Sequence, residues 1–302
     1  MCSLLRTKRL TPSEGFPDTD RVRSLFLALI AAGAPAQDEK DWKPLFNGKD
    51  LGGWETWLGK PHKAIEVPGL ARNGDGEYAG PIGLDRDPKG VFTVVEIDGK
   101  PAVRISGEIW GALTTKDDHE NYHFKADFKW GSKKWPPREE RPRDSGLLYH
   151  ATGPHGAGGS YWMRSFECQI QEKDCGDFWS VDRVLVDVEA EPLKAGDPKG
   201  AWVYKKGAPP LGGTTRRILK LADAEKPSGE WNTVELYCSG GTSVHVVNGR
   251  AVMVLRGLRH RVDGREAPLT KGRLQLQSEG AEIFYRGMAI RPIAGIPPSL
   301  LE

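Results

Sequence analysis

The sequence predicts an all-β protein, a single sandwich of two antiparallel sheets joined by long loops. Three observations carry that prediction. The 302 residues include 37 Gly and 22 Pro, a share of turn formers well above the usual ~12%. From Trp42 onward apolar residues recur with a period of two, the signature of strands buried on one face. No segment sustains the i, i+3, i+4, i+7 spacing of an amphipathic helix, and Gly or Pro interrupts most candidates.

The chain opens with a leader. Arg21 and Arg23 precede the apolar run from Leu25 to Ala32, which ends in Gly33-Ala34-Pro35-Ala36-Gln37. Basic residues, a short apolar segment and a small-x-small site follow the order of a secretory signal peptide, with cleavage expected after Ala36. Residues 1–36 are therefore read as leader, residues 37–302 as one domain, and the protein as exported to the periplasm or the extracellular space. The polar stretch Met1 to Asp20 is unusual ahead of a signal peptide and points to a true start downstream, with Val22 a candidate first codon. Cys2 departs with the leader. Cys168, Cys175 and Cys238 remain, too few for a disulfide scaffold and without a zinc spacing. Cys168 and Cys175 are close enough in sequence to pair after export, or pack as buried thiols.

Lys and Arg number 43 against 41 Asp and Glu, a balance that argues against a nucleic-acid partner, whose basic stripe shows in the total. The first 36 residues hold five basic and three acidic groups, so the remainder is formally neutral. That suits an uncharged ligand. Mean hydropathy is −0.50, and no apolar stretch is long enough to span a bilayer.

Along the domain, Tyr122, Phe124, Ala126, Phe128 and Trp130 alternate with polar residues and predict a strand. Asp144 to His150 suits an antiparallel neighbour that carries its side chains alongside a third strand, in which Phe166, Cys168 and Ile170 alternate with Ser165, Glu167, Gln169 and Gln171. Val234, Leu236 and Cys238 mark the next. Asn248-Gly249, flanked by apolar runs, suits the positive φ angles of a tight hairpin turn. Leu274 with Leu276, and the segments 283–285 and 288–290, supply further strands. Residues 61–88, 131–143, 153–160 and 189–215 are expected as irregular insertions, where binding chemistry tends to sit.

Tyr161 to Trp179 is the densest functional stretch. If Phe166, Cys168 and Ile170 face the core, Glu167, Gln169 and Gln171 form an opposite row about 7 Å apart, a carboxylate and two amides suited to sugar hydroxyls. Trp162, Trp179 and Tyr149 are candidates for the aromatic face that a sugar's CH-rich side lies on. The same row reads equally as the solvated side of a strand, and Trp162 and Trp179 equally as core. Arg164 has the wrong parity for the Glu167 face and reads as structural.

These residues resemble a family. Leu45 to Trp54 (LFNGKDLGGW), Ser145 to Tyr149 (SGLLY), Phe166 to Gln171 (FECQIQ), Gly229 to Asn232 (GEWN), Val247-Asn248-Gly249, Leu276 to Gly280 (LQSEG) and Phe284-Tyr285-Arg286 look like the 3-keto-disaccharide hydrolase family, in order, from about Trp42 to Pro292. The resemblance implies a concanavalin A-like jelly roll with a concave sheet as sugar site, and cleavage of 3-keto-glycosides. His150 stands where many relatives have Arg, and Cys168 where an aromatic residue is common.

A ketone at C3 acidifies the hydrogen at C2, so a base can form an enolate and expel the C1 substituent, after which water adds. This needs a base, enolate stabilisation and a proton donor. It does not need the paired carboxylates of retaining or inverting glycosidases, and no Glu-x-Asp-x-x-Glu array is present. The expected roles are acid/base or binding for Glu167, base or electrophile for His150, and hydroxyl recognition for Gln169 and Gln171, with Gln277 and Glu279 completing the surface. A divalent cation would assist enolisation; Glu172, Asp174 and Asp177 are its candidate ligands, or simply solvated acids. A non-catalytic carbohydrate-binding module is the alternative that uses the same face.

Overall fold

Alternation organises the first sheet. In the computed structural model, which describes residues 41–302, the strand Tyr122–Lys134 buries Tyr122, Phe124, Ala126, Phe128 and Trp130, while Lys125, Asp127 and Lys129 lie half-buried on its other side. The leader with its cleavage site lies outside the described residues. Around this strand an antiparallel sheet is ordered Phe92–Ile97, Lys100–Ile105, Ala281–Pro292, Tyr122–Lys134, Asn232–Ser239, Thr242–Val247 and Arg250–Val262. The expected hairpin is present. Val247 pairs with Arg250, and Asn248 and Gly249 take φ values of 49° and 77°, the left-handed conformation that a two-residue turn between twisted strands requires.

The second sheet is ordered Trp54–Leu58, Gly111–Thr115, Lys271–Ser278, Asp144–Thr152, Arg164–Gln171 and Phe178–Val181, again antiparallel. Its inner face meets the first sheet. Ser145 Oγ lies 2.9 Å from the Tyr285 hydroxyl, and the Tyr149 hydroxyl 2.8 Å from Ser243 Oγ and 3.1 Å from His245 Nε2. Phe166, Cys168 and Ile170 are fully buried in the shared core, where a large apolar side chain contributes about 1.5–3 kcal/mol. Cys168, Cys175 and Cys238 are all buried free thiols. The described residues contain no α-helix, and the chain is an all-β jelly-roll sandwich.

Residues 189–215 differ from the expected irregular insertion. Leu185–Pro192, Trp202–Tyr204 and Pro210–Thr214 are strands, and Leu185–Pro192 pairs with both others. It also pairs with the far end of Arg250–Val262. Each piece is too short to show a period, and edge pairing supplies its order. Residues 61–88 are largely irregular, held by Arg72, which donates to the Lys63 and Gly76 carbonyls at 2.9 and 2.8 Å. The Tyr78 hydroxyl in turn donates to Ile65 O.

Candidate functional site

The outer face of the second sheet is not solvated. In Arg164–Gln171 the core set alternates with Glu167 and Gln169, yet these two are each only 5% exposed. That decides against the solvated-strand reading. Pairing places Glu167 opposite Leu148 and Trp179, Gln169 opposite Gly146, and Gln171 opposite Asp144. On the next strand Gln275 lies opposite Leu148 and Thr114, and Gln277 opposite Ala112. Continuing that register by two residues brings Glu279 beside Asp144 on one side and Trp110 on the other. Trp110, Glu279, Asp144 and Gln171 thus form one cross-strand row, with Gln277, Gly146 and Gln169 in the row beside it.

Arg138 lies across the first row. Its guanidinium donates to Glu279 Oε1 at 2.6 Å, to Gln171 Oε1 at 3.2 Å and pairs with Asp144, and stands 5.6 Å from the centre of the Trp110 ring. Gln171 donates onward to Asp174 at 2.5 Å. The loop 135–143 that carries Arg138 is anchored by Trp135, whose indole donates to Ser106 O at 3.0 Å. Gly280, at φ 80°, leaves room for the Arg138 side chain, which a Cβ there would meet at 3.0 Å.

The guanidinium pairs with two carboxyls, of Asp144 and Glu279, and its charge also reaches a third, that of Glu167. Burial raises the Asp144 carboxyl to about 9, with Glu279 adding to the rise and Arg138 opposing it. Glu279 rises to about 7 through burial, again against the pull of Arg138. Glu167 is held well above the ordinary carboxylate range by burial, then by Glu279 and Asp144, and the Gln277 amide bonded to it offsets part of that. Like charges in a desolvated site cannot all ionise. The cluster therefore retains protons near neutrality, with all three carboxyls raised by burial and Arg138 opposing the rise, which provides both a donor and an acceptor in one place.

Aromatic side chains lie at one end of the first row. There Trp110 is stacked with Trp162 at 6.1 Å and 22° and meets Tyr161 edge-on at 5.2 Å. Trp162 is fixed there by donating to Gly111 O at 3.1 Å. Beside them opens a cleft of about 150 Å³ whose walls include Pro61, Pro136, Pro137, Trp110 and Tyr161. Trp179 lies two rows away, directly across from Glu167; it is 38% exposed and carries Arg217 5.2 Å over its ring.

Other expected site residues are placed elsewhere. Tyr149 is on the core face, bonded to Ser243 and His245, and offers no surface to a sugar. His150 would share the outer face by parity, but the strand register shifts around it and its φ is 50°. This bulge re-aims the side chain. The ring packs against Tyr122, Tyr149 and Phe166, Nδ1 donates to Leu269 O at 3.0 Å, and burial depresses its pKa to about 4. It is placed as a core histidine, turned away from the acid cluster.

The acids considered for a cation have protein partners instead. Glu172 pairs with Arg143 at 2.7 Å, and Asp174 and Asp177 with Arg217 at 2.7 and 2.6 Å. Among the described residues no group of three or more His, Cys, Asp or Glu side chains is arranged to hold a metal ion. Arg164 pairs with Asp182 at 2.8 Å, away from the Glu167 face. Sequence reading missed Asp144, Arg138 and Trp110. Asp144 was recoverable, since it is in phase with Gly146 on the strand opposite Gln169 and Gln171. Arg138 and Trp110 sit outside regular strands and carry no periodic signal.

A jelly roll whose outer face gathers acids and amides between aromatic rings belongs among the carbohydrate-active, glycosyl hydrolase-like proteins. More narrowly, the chain belongs to the family of 3-keto-alpha-glucoside-1,2-lyase-like domains, whose model matches residues 41–291. Among solved structures it is similar to a provisionally assigned glycosyl hydrolase from Parabacteroides distasonis, at 20% identity and a TM-score of 0.43, covering 83% of this chain and 99% of that one. It is also similar to the carbohydrate-binding module CBM66 from Bacillus subtilis, at 8% identity and TM-score 0.39 over 66% and 91% of the two chains. A β-glucanase from Bacillus licheniformis aligns at 9% identity and TM-score 0.38 over 83% and 97%. No curated protein matches.

Proposed function

We propose that this is an exported enzyme that cleaves the glycosidic bond of 3-keto-glycosides by elimination followed by addition of water. The observation that carries the reading is the roofed cluster of Asp144, Glu167 and Glu279 around Arg138, between aromatic groups. A binding module can work from an open platform, whereas proton transfer gains from a sequestered site.

In this reading Glu279, whose carboxylate form Arg138 supports by donating to it at 2.6 Å, removes the proton at C2. The C2–H electron pair forms the C2=C3 double bond of an enolate whose charge rests on the C3 oxygen; as the C3 carbonyl re-forms, that pair becomes the C1=C2 double bond and the C1–O bond breaks. Glu167, which holds its proton, donates it to the departing oxygen. Arg138 and the amides of Gln169 and Gln277 are the donors available to the enolate oxygen, the charge for which preorganised donors matter most. Gln171 and Trp179 bind the sugar itself. Water then adds across the new double bond with the proton movements reversed. The balanced charge of residues 37–302 supports a neutral, oxidised sugar as partner, and the order of basic, apolar and small residues before Gln37 supports export to the periplasm or beyond.

The test is to incubate the mature protein, with and without chelator, with 3-keto and ordinary glycosides and follow leaving-group release. Turnover of the 3-keto compounds alone is expected. Sugar binding without turnover of either would return the protein to the binding-module class. Glu167→Gln should lower kcat by at least about 100-fold, the scale of a positioned acid.

A further inference from the structure

Three Asn-Gly pairs lie in the chain, at 47–48, 73–74 and 248–249. In such a pair the backbone nitrogen of the glycine can reach the Asn side-chain carbon, because no Cβ shields it. The three pairs differ in what the fold does with the amide that would leave. Asn248 is locked. Its Nδ2 donates to Ala224 O at 2.8 Å and to Asn232 Oδ1 at 2.7 Å, and its Oδ1 accepts the Thr233 amide at 2.8 Å. At Asn47, which is exposed, Nδ2 donates to Asp50 Oδ1 at 2.8 Å.

Asn73 is exposed, and its NH2 has no partner among the described residues. Its oxygen is held instead. Asp75 N and Glu77 N donate to Oδ1 at 3.1 and 2.9 Å, so two backbone N–H groups already face the oxygen on which charge would develop when the side-chain carbon is attacked. Asn47 Oδ1 receives two such bonds as well, from Lys49 N and Asp50 N, so the free leaving group is what sets Asn73 apart. The attacking group is also free, since the Gly74 N–H donates to no group among the described residues.

We propose that Asn73 is a site of spontaneous modification that converts it to aspartate and isoaspartate. Gly74 N gives its proton to hydroxide and bonds to Asn73 Cγ, and the Cγ–Nδ2 bond breaks as Nδ2 takes a proton from water and leaves as ammonia. Water then opens the five-membered imide at either carbonyl carbon. Opening at one gives aspartate, and at the other isoaspartate, whose backbone runs through the side-chain methylene. The change falls beside the site. Asn73 N donates to Glu77 O at 2.7 Å and Gly76 N to Asn73 O at 3.0 Å, next to Arg72, which ties down the Lys63 and Gly76 carbonyls and the Tyr78 hydroxyl. Glu77, on this turn, lines the cleft beside Trp110 and Tyr161. An added backbone atom shifts the register of these bonds.

The test holds the full chain in mildly alkaline buffer and follows the peptides around the three Asn by mass spectrometry for a gain of one mass unit. Asn73 is expected to convert first, and Asn248 at least about tenfold more slowly, since two hydrogen bonds must be given up before its amide leaves. In urea the three rates should converge. Gly74→Ala tests the attack itself. Gly74 has no positive φ, and a Cβ there meets nothing within 4 Å, so the variant keeps the fold while the added methyl hinders ring closure, and conversion at Asn73 should fall several-fold. Conversion of Asn47 or Asn248 as fast as Asn73 in the folded protein overturns the proposal. So does an equally wide spread of rates in urea, or an undiminished rate in Gly74→Ala.

Discussion

Gly146 lies opposite Gln169 on the outer face, and no positive φ requires glycine there. Its role is room. A Cβ built at this position comes within 2.8 Å of Gln277 Cδ and closer still to the terminal oxygens of Gln277 and Glu167, where ordinary contact begins at 3.4 Å. In Gly146→Ala the Gln277 amide must therefore retreat by at least about 0.6 Å, and the Glu167 carboxyl with it. Overpacking of this size destabilises by about 1–3 kcal/mol, which leaves most domains folded. Displacement of reacting groups by about 1 Å can cost 100-fold in rate, so kcat/KM on a 3-keto-glycoside should fall ten- to 100-fold. Urea unfolding on the same preparation separates the two effects. Wild-type kcat/KM in a variant destabilised as expected would show that Glu167 and Gln277 do not act together in the reaction, and would refute the mechanism built on them.

Stability should fall as pH rises between about 6.5 and 8. The folded state keeps protons on Asp144, raised to about 9, and on Glu167, also held well above its ordinary range, while the unfolded chain releases both at about 4, and Glu279, raised to about 7, gives up its own proton within the window, so the native state binds more protons and stability falls with pH. Urea midpoints should drop accordingly, and Asp144→Asn should make the slope shallower without abolishing it; an unchanged slope would place the protons elsewhere. Below about pH 6.5 the sign reverses for His150 and His245, both depressed to about 4 by burial, because the unfolded chain takes up protons that the fold refuses. His150→Gln should lower stability by about 1–3 kcal/mol through the disturbed bond to Leu269 O and leave kcat/KM on the folded fraction unchanged; a large loss of kcat would restore His150 to the reaction. Trp179→Ala should raise KM about three- to tenfold with kcat nearly constant, the loss of one stacking surface, and a fall in kcat alone would contradict a binding role.

Local periodicity determined much of this protein. The alternation in Tyr122–Lys134, the Asn248-Gly249 turn and the core set Phe166, Cys168 and Ile170 follow from a side-chain period of two and from backbone sterics, which are properties of consecutive residues. The same rule put Glu167, Gln169 and Gln171 in one row, and Gln277 and Glu279 in phase with each other. It could not say that this row is roofed, because burial on a strand's second face depends on loops distant in sequence. Nor could it place His150, where a one-residue bulge opposite a neighbouring strand turns an outward parity into a core contact. The charge state of the site was also beyond it. Asp144 and Glu167 come from two strands, Glu279 from just past the end of a third and Arg138 from a loop, and their proton affinities arise only when sheet order brings three acids and one guanidinium into the same desolvated space.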